Sequence, residues 1–183
     1  MWGTDGTSRM FSSRHPPSLI LTKEIIVETD NQQISKDGES IQLSCFYLKD
    51  TLCGLNIDIV QEINQELQIT KVPLSPDYVV GIMNLRGQIV SVIDQSRKIG
   101  FEPSTITDES RVIIVTSQGE HIGLLVDSVT EVLAAPIKDI AAPPSNIKGA
   151  HGKFFKGVVH TAKNEILALL DIETVLAEAH EKG

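Results

Sequence analysis

Aromatic side chains make up only 4% of this 183-residue chain, and 16 Lys and Arg are outnumbered by 24 Asp and Glu, for a formal charge of −8. Such a balance repels a polyanion, and five Phe, two Tyr and one Trp are too few for a stacking platform, so nucleic acid is excluded as a partner. Cysteine is nearly missing too. Cys45 and Cys53 lack CxxC spacing and cannot form a disulfide framework for a chain of this length, which points to a reducing compartment. No apolar run approaches the roughly 18 residues of a membrane span, and the N-terminus lacks the pattern of a secretory signal. The expectation is a cytoplasmic chain without membrane insertion.

The usual carriers of chemistry are also missing. His15, His121, His151, His160 and His180 are scattered, with no HxxxH or HxH pair to hold a metal. Neither GxGxxG, nor GxxxxGK followed by Ser or Thr, nor a GxSxG elbow occurs. No metal, no cofactor and no catalytic residue are expected, so the chain reads as a binding protein and not an enzyme.

What is present begins after residue 39. Residues 1–39 are rich in Gly, Ser, Thr, Asp and Asn, with one apolar cluster from Leu19 to Val27, and read as a flexible tail. Residues 40–183 carry short β-branched runs broken by turn residues, the all-β pattern. The expected strands are Ile41–Leu48, Leu52–Ile57, Gln61–Ile69, Val79–Leu85, Gln88–Asp94, Arg111–Thr116, His121–Val126, Val129–Ala134, Phe154–His160 and Glu165–Leu170. Cys45 and Cys53 flank an expected turn at Lys49-Asp50, as buried thiols that are cross-strand neighbours if the register permits.

The chain repeats itself. Gly54-Leu55-Asn56-Ile57-Asp58-Ile59-Val60-Gln61-Glu62-Ile63 matches Gly123-Leu124-Leu125-Val126-Asp127-Ser128-Val129-Thr130-Glu131-Val132 at Gly, Leu, Asp, Val and Glu. The segment from Gly81 to Asp94 echoes that from Gly157 to Asp171, one residue longer at the turn. Two similar units of five strands follow, and closing each into a small barrel would remove its open edges. Each unit ends on an aspartate, Asp94 or Asp171, placed to cap a helix. After Asp94 the helix stops near Gly100, whereas after Asp171 the apolar residues Ile172, Val175, Leu176 and Ala179 predict a terminal helix over 172–180 that packs on the barrels.

Arg86 lies at a hairpin tip beside Gly87, either a solvated charge or an interface anchor. The strand from Val60 to Ile69 has apolar residues on both faces in places, one of them a candidate contact surface.

The stretch from Pro76 to Asp94, above all Gly81-Ile82-Met83-Asn84-Leu85-Arg86-Gly87, resembles the signature of the CheW-like domain family of bacterial chemotaxis coupling proteins. The segments Cys53 to Ile63 and Ile122 to Val132 resemble other parts of that family, and the likeness spans about Ser40 to Ala179. Ser91, where the family more often has Pro, and Gln95, where it more often has Leu, depart from the pattern. The resemblance implies two tandem five-stranded SH3-like β-barrel subdomains, intertwined, the second over roughly 105–165, with a C-terminal helix over 172–180. It implies a scaffold, without an active site, that bridges the cytoplasmic tips of chemoreceptors to the regulatory domain of the histidine kinase CheA in receptor arrays close to the membrane. The receptor-facing positions of the family fall on Val60, Gly81 and Arg86, and the kinase contacts on the barrel ends, at residues left unassigned. The rival reading is a docking module of the same fold that serves another kinase without a receptor.

Overall fold

The computed structural model describes residues 39–143 and 152–180; the tail, with its Leu19–Val27 cluster, and residues 144–151 of the loop before the ninth strand lie outside them. All ten expected strands form: β1 (Ser40–Leu48), β2 (Thr51–Asn56), β3 (Val60–Asn64), β4 (Val79–Leu85), β5 (Gln88–Asp94), β6 (Arg111–Ser117), β7 (Glu120–Val126), β8 (Ser128–Pro136), β9 (Phe155–His160) and β10 (Ile166–Leu170). Helix α1 (Gln95–Lys98) follows β5 and α2 (Ile172–His180) follows β10. The third strand is shorter than its sequence suggests. A bulge shifts its register between Val60 and Glu62, and the chain leaves the sheet after Asn64.

The strands form two five-stranded sheets, one in the order β8-β1-β2-β10-β9 and the other β3-β6-β7-β5-β4. These orders superpose when each strand of the first repeat is exchanged for its counterpart in the second. The sheets therefore do not follow the repeat. Hairpin β1–β2 is completed by β8, β9 and β10 of the second repeat, and hairpin β6–β7 by β3, β4 and β5 of the first. Each sheet contains one parallel pair, β2 with β10 and β5 with β7, among antiparallel ones.

Complete closure of each barrel, expected from the open-edge argument, does not occur. In each sheet the end strands are not laddered together, and one isolated bridge spans the seam: Thr70 to Ile82 in one and Ala141 to Val158 in the other. At each bridge two backbone hydrogen bonds are exchanged. Thr70 N donates to the Ile82 carbonyl and Ile82 N to that of Thr70, both at 2.8 Å. Ala141 N donates to the Val158 carbonyl at 2.9 Å and Val158 N returns the bond at 2.8 Å. Beside each bridge stands a repeat-matched glycine. A Cβ on Gly81 would fall on the Thr70 carbonyl oxygen, and one on Gly157 would lie 2.8 Å from the Ala141 carbonyl oxygen. Only a residue without a side chain lets the closing segment approach this far.

Three apolar clusters result. Leu43, Cys45, Val159 and Leu167 fill the first barrel, and Val90, Val92, Val112 and Ile114 the second. The largest cluster lies between the two, where Phe46 and Leu55 from one sheet meet Ile113 and Leu124 from the other under Ile172, Val175 and Leu176 of α2. Fully burying each such side chain contributes on the order of 1.5–3 kcal/mol. Both helices are capped as expected: the Asp94 carboxylate accepts from Arg97 N at 3.1 Å, and that of Asp171 from Thr174 N at 3.4 Å and Thr174 Oγ1 at 3.0 Å. Ser117 Oγ donates to the Glu173 carboxylate at 3.0 Å, tying α2 to β6.

The cysteines are not cross-strand partners. Cys45 pairs with Gly54 and Cys53 with Phe46, so period-2 alternation puts Cys45 inside the first barrel and Cys53 in the central cluster. Burial pushes the Cys45 thiol up to about 11 and that of Cys53 to about 12, and both are free thiols.

Two substitutions test this account. Gly81→Ala is expected to cost roughly 1–3 kcal/mol, because the obstructing atom is backbone and cannot swing away; an unchanged urea midpoint would show that the seam yields. Gln95, fully buried, has no hydrogen-bond partner for either side-chain polar atom. Gln95→Leu is expected to stabilise the fold by about 1 kcal/mol, since an unsatisfied amide is removed at nearly constant volume. A lowered urea midpoint for this variant would contradict that reading.

Candidate functional site

The β4–β5 hairpin closes with Leu85 opposite Gln88, leaving Arg86-Gly87 as a two-residue turn. Arg86 has φ 51° and Gly87 φ 89°, the positive pair that a type I′ turn requires. Asn84 supports it, its Oδ1 accepting from Gly87 N at 2.8 Å. The left-handed backbone at Arg86 is a property of the turn, since Gln118 and Gly119 adopt the same signs between β6 and β7.

From this tip the Arg86 guanidinium reaches back across the seam to β3. Its Nη2 donates to Glu62 Oε2 at 2.7 Å, with the Arg86 side chain 67% exposed and that of Glu62 11%. The other Glu62 oxygen accepts from Asn64 Nδ2 at 2.8 Å. One carboxylate is thus held between two donors and in turn fixes the direction of the arginine. Because two thirds of the Arg86 side chain faces solvent, its fork remains accessible to a second carboxylate or to backbone carbonyls.

The three sequence-derived residues do not meet. Val60 is only 9% exposed and belongs to the central cluster, so its side chain is packed inside the fold and not presented beside Arg86. Gly81 lies at the seam, where its lack of a side chain admits Thr70. Arg86 alone of the three presents a side chain to solvent. Sequence reasoning missed two residues here. Glu62 carries no signal that sets it apart from the other polar residues of its strand, and nothing local indicates which cation it meets. Ile89 is 65% exposed, and its signal was present in Gln88-Ile89-Val90-Ser91-Val92, where Val90 and Val92 point inward and Ile89 shares the outer face with Ser91.

Grooves flank the hairpin on both sides. One, of about 580 Å³, runs between the segment Glu66 to Thr70 and Met83, Asn84 and Leu85 of β4. The other, of about 600 Å³, has Ile89 and Ser91 on one wall, Glu120 to Ile122 on another and Leu176 of α2 at its end. Cation and exposed isoleucine therefore sit on one hairpin between two shallow grooves, with the carboxylate facing them from β3 across the seam.

The pairing has a measurable energy. A double-mutant cycle of Glu62→Gln and Arg86→Gln, followed by urea unfolding, is expected to give a coupling of roughly 0.5–1 kcal/mol. Arg86→Gln alone is expected to cost more than an exposed substitution, because it leaves the nearly buried Glu62 with Asn64 only. Strict additivity would show that the pair contributes nothing.

Residues 42–180 match the CheW-like domain. The chain is 32% identical over 143 residues to the chemotaxis protein CheW of Klebsiella aerogenes, covering 76% of this chain and 85% of that one. It is 28% identical over 142 residues to the probable chemotaxis protein CheW of Rhizobium etli, covering 78% and 91%. Among solved structures it resembles the scaffolding protein TtCheW of Thermoanaerobacter tengcongensis, with a TM-score of 0.68 and 30% identity over 77% of this chain and 90% of that one.

Proposed function

The chain belongs to the CheW-like domain family of chemotaxis scaffold proteins, and from that premise we propose that it couples chemoreceptors to the histidine kinase CheA without catalysing a reaction. The receptor tip docks on the Arg86 hairpin, and the regulatory domain of CheA docks on the barrel ends. The observation that carries this reading is the Arg86–Glu62 pair: a guanidinium aimed by a nearly buried carboxylate, two thirds exposed, on a hairpin anchored in a packed barrel. A helical receptor tip supplies carboxylates and carbonyls to that fork and apolar side chains to Ile89. The site is formed before the partner arrives, so little ordering entropy opposes binding.

Of the other two positions to which the family points, Gly81 serves the site by letting the seam close and Val60 by anchoring the strand that carries Glu62. Among the described residues no helix is long and apolar enough to cross a membrane, in keeping with a protein that reaches the membrane-bound array through its partners in the cytoplasm.

Titrating a purified receptor tip and a purified CheA regulatory domain separately against wild type and Arg86→Glu tests the proposal. The variant is expected to lose on the order of 1–4 kcal/mol of receptor affinity at this hairpin, roughly fivefold to 1,000-fold, while kinase affinity stays within about twofold of wild type. Equal losses for both partners would indicate a folding defect, and an unchanged receptor affinity removes Arg86 from the site.

A further inference from the structure

The internal repeat carries the Arg86 site twice. Glu62 on β3 corresponds in the repeat to Glu131 on β8, Arg86 at the β4–β5 tip to Lys163 at the β9–β10 tip, and Ile89 at the start of β5 to Ile166 at the start of β10. In three dimensions the second set reproduces the first. Lys163 Nζ donates to Glu131 Oε1 at 3.2 Å, from a hairpin tip across the seam to the edge strand, as Arg86 does to Glu62. Ile166 is 50% exposed, as Ile89 is 65%. Asn164, with φ 61°, takes the place of Gly87 in the turn.

Packing accounts for some features shared by the two repeats and not for these. The glycines at the two seams recur because backbone must pass there. No packing requirement calls for a basic tip, a glutamate across the seam and an exposed isoleucine at matched surface positions. What recurs is the set of groups that touches solvent at the first site.

We propose that the β9–β10 tip, with Lys163, Glu131 and Ile166, is a second docking face for the same class of partner as the first, a helical tip that presents a carboxylate beside apolar side chains, so that one chain can hold two such tips. This rests on the receptor reading of the Arg86 hairpin. The second face differs in chemistry: Lys163 is a single point charge without the planar fork, and its pair with Glu131 is more open, at 72% and 60% exposure. The hydrogen bond that Lys163 donates to the Glu131 carboxylate holds the Lys163 proton more firmly than usual. Binding there is expected to be roughly tenfold weaker than at Arg86, for want of a bidentate contact.

The experiment measures stoichiometry by isothermal titration of a purified chemoreceptor cytoplasmic tip into the full chain, with circular dichroism as a check on folding. Wild type is expected to bind two tips, Lys163→Glu and Arg86→Glu one each, and the double variant none. A charge-swapped chain, Lys163→Glu with Glu131→Lys, restores the intramolecular pair but moves the cation off the tip; it is expected to bind one tip, whereas a merely structural pair would recover wild-type behaviour. Binding of a single tip by wild type and by Lys163→Glu, lost in Arg86→Glu, overturns the second face and leaves the first standing. No effect of Arg86→Glu, or no binding at all, overturns the receptor reading and this inference with it. If Lys163→Glu instead weakens a CheA regulatory domain and leaves tip stoichiometry unchanged, the second face belongs to the kinase and the proposal fails.

Discussion

The structure depends on a close passage of backbone at two places. Each five-stranded sheet curls until its end strands are within reach, and each is joined at one isolated bridge, Thr70–Ile82 in one and Ala141–Val158 in the other. A side chain at Gly81 or Gly157 would occupy the space that the Thr70 or Ala141 backbone needs. The interior of each barrel, the position of the segment after β3 and the angle of each hairpin relative to its facing edge strand follow from that approach. So does the reach of Arg86 to Glu62, since both lie on the strands that flank one seam.

Strand exchange makes the rest of the molecule rigid. Because each sheet combines strands from both repeats, neither barrel can form without the other's segments, and the cluster between them takes side chains from both sheets and from α2. A hairpin projecting from such a frame has its base fixed by packing and its tip fixed by turn geometry. The only freedom left at Arg86 is that of its own side chain, and Glu62 removes much of it.

The two tips show how one architecture can be set to different strengths. At the first, the carboxylate is 11% exposed, held by Asn64 and matched to a guanidinium; at the second, the carboxylate is 60% exposed and matched to an ammonium. Desolvation strengthens the first pair and solvent screens the second. The same fold thus offers one firmly aimed cation and one loosely held one, on opposite members of the repeat.

Much of this was legible in the sequence. Alternation of apolar residues and turn chemistry are local, so all ten strands, the tip at Arg86-Gly87 and the caps at Asp94 and Asp171 could be read directly, as could the repeat. The CheW-like signature from Gly81 to Gly87 named the family. What the sequence did not determine is everything that depends on which distant strands become neighbours. Which strands are exchanged between the repeats, the single-bridge seams, the opposite faces of Cys45 and Cys53, the burial of Val60 and the pairing of Arg86 with Glu62 all follow from registers between segments far apart in the chain. A strand's own pattern says which face is apolar but not what lies against it; only the tertiary structure decides that, because a hydrogen-bonded edge accepts any partner strand and the choice is made by the packing of the whole.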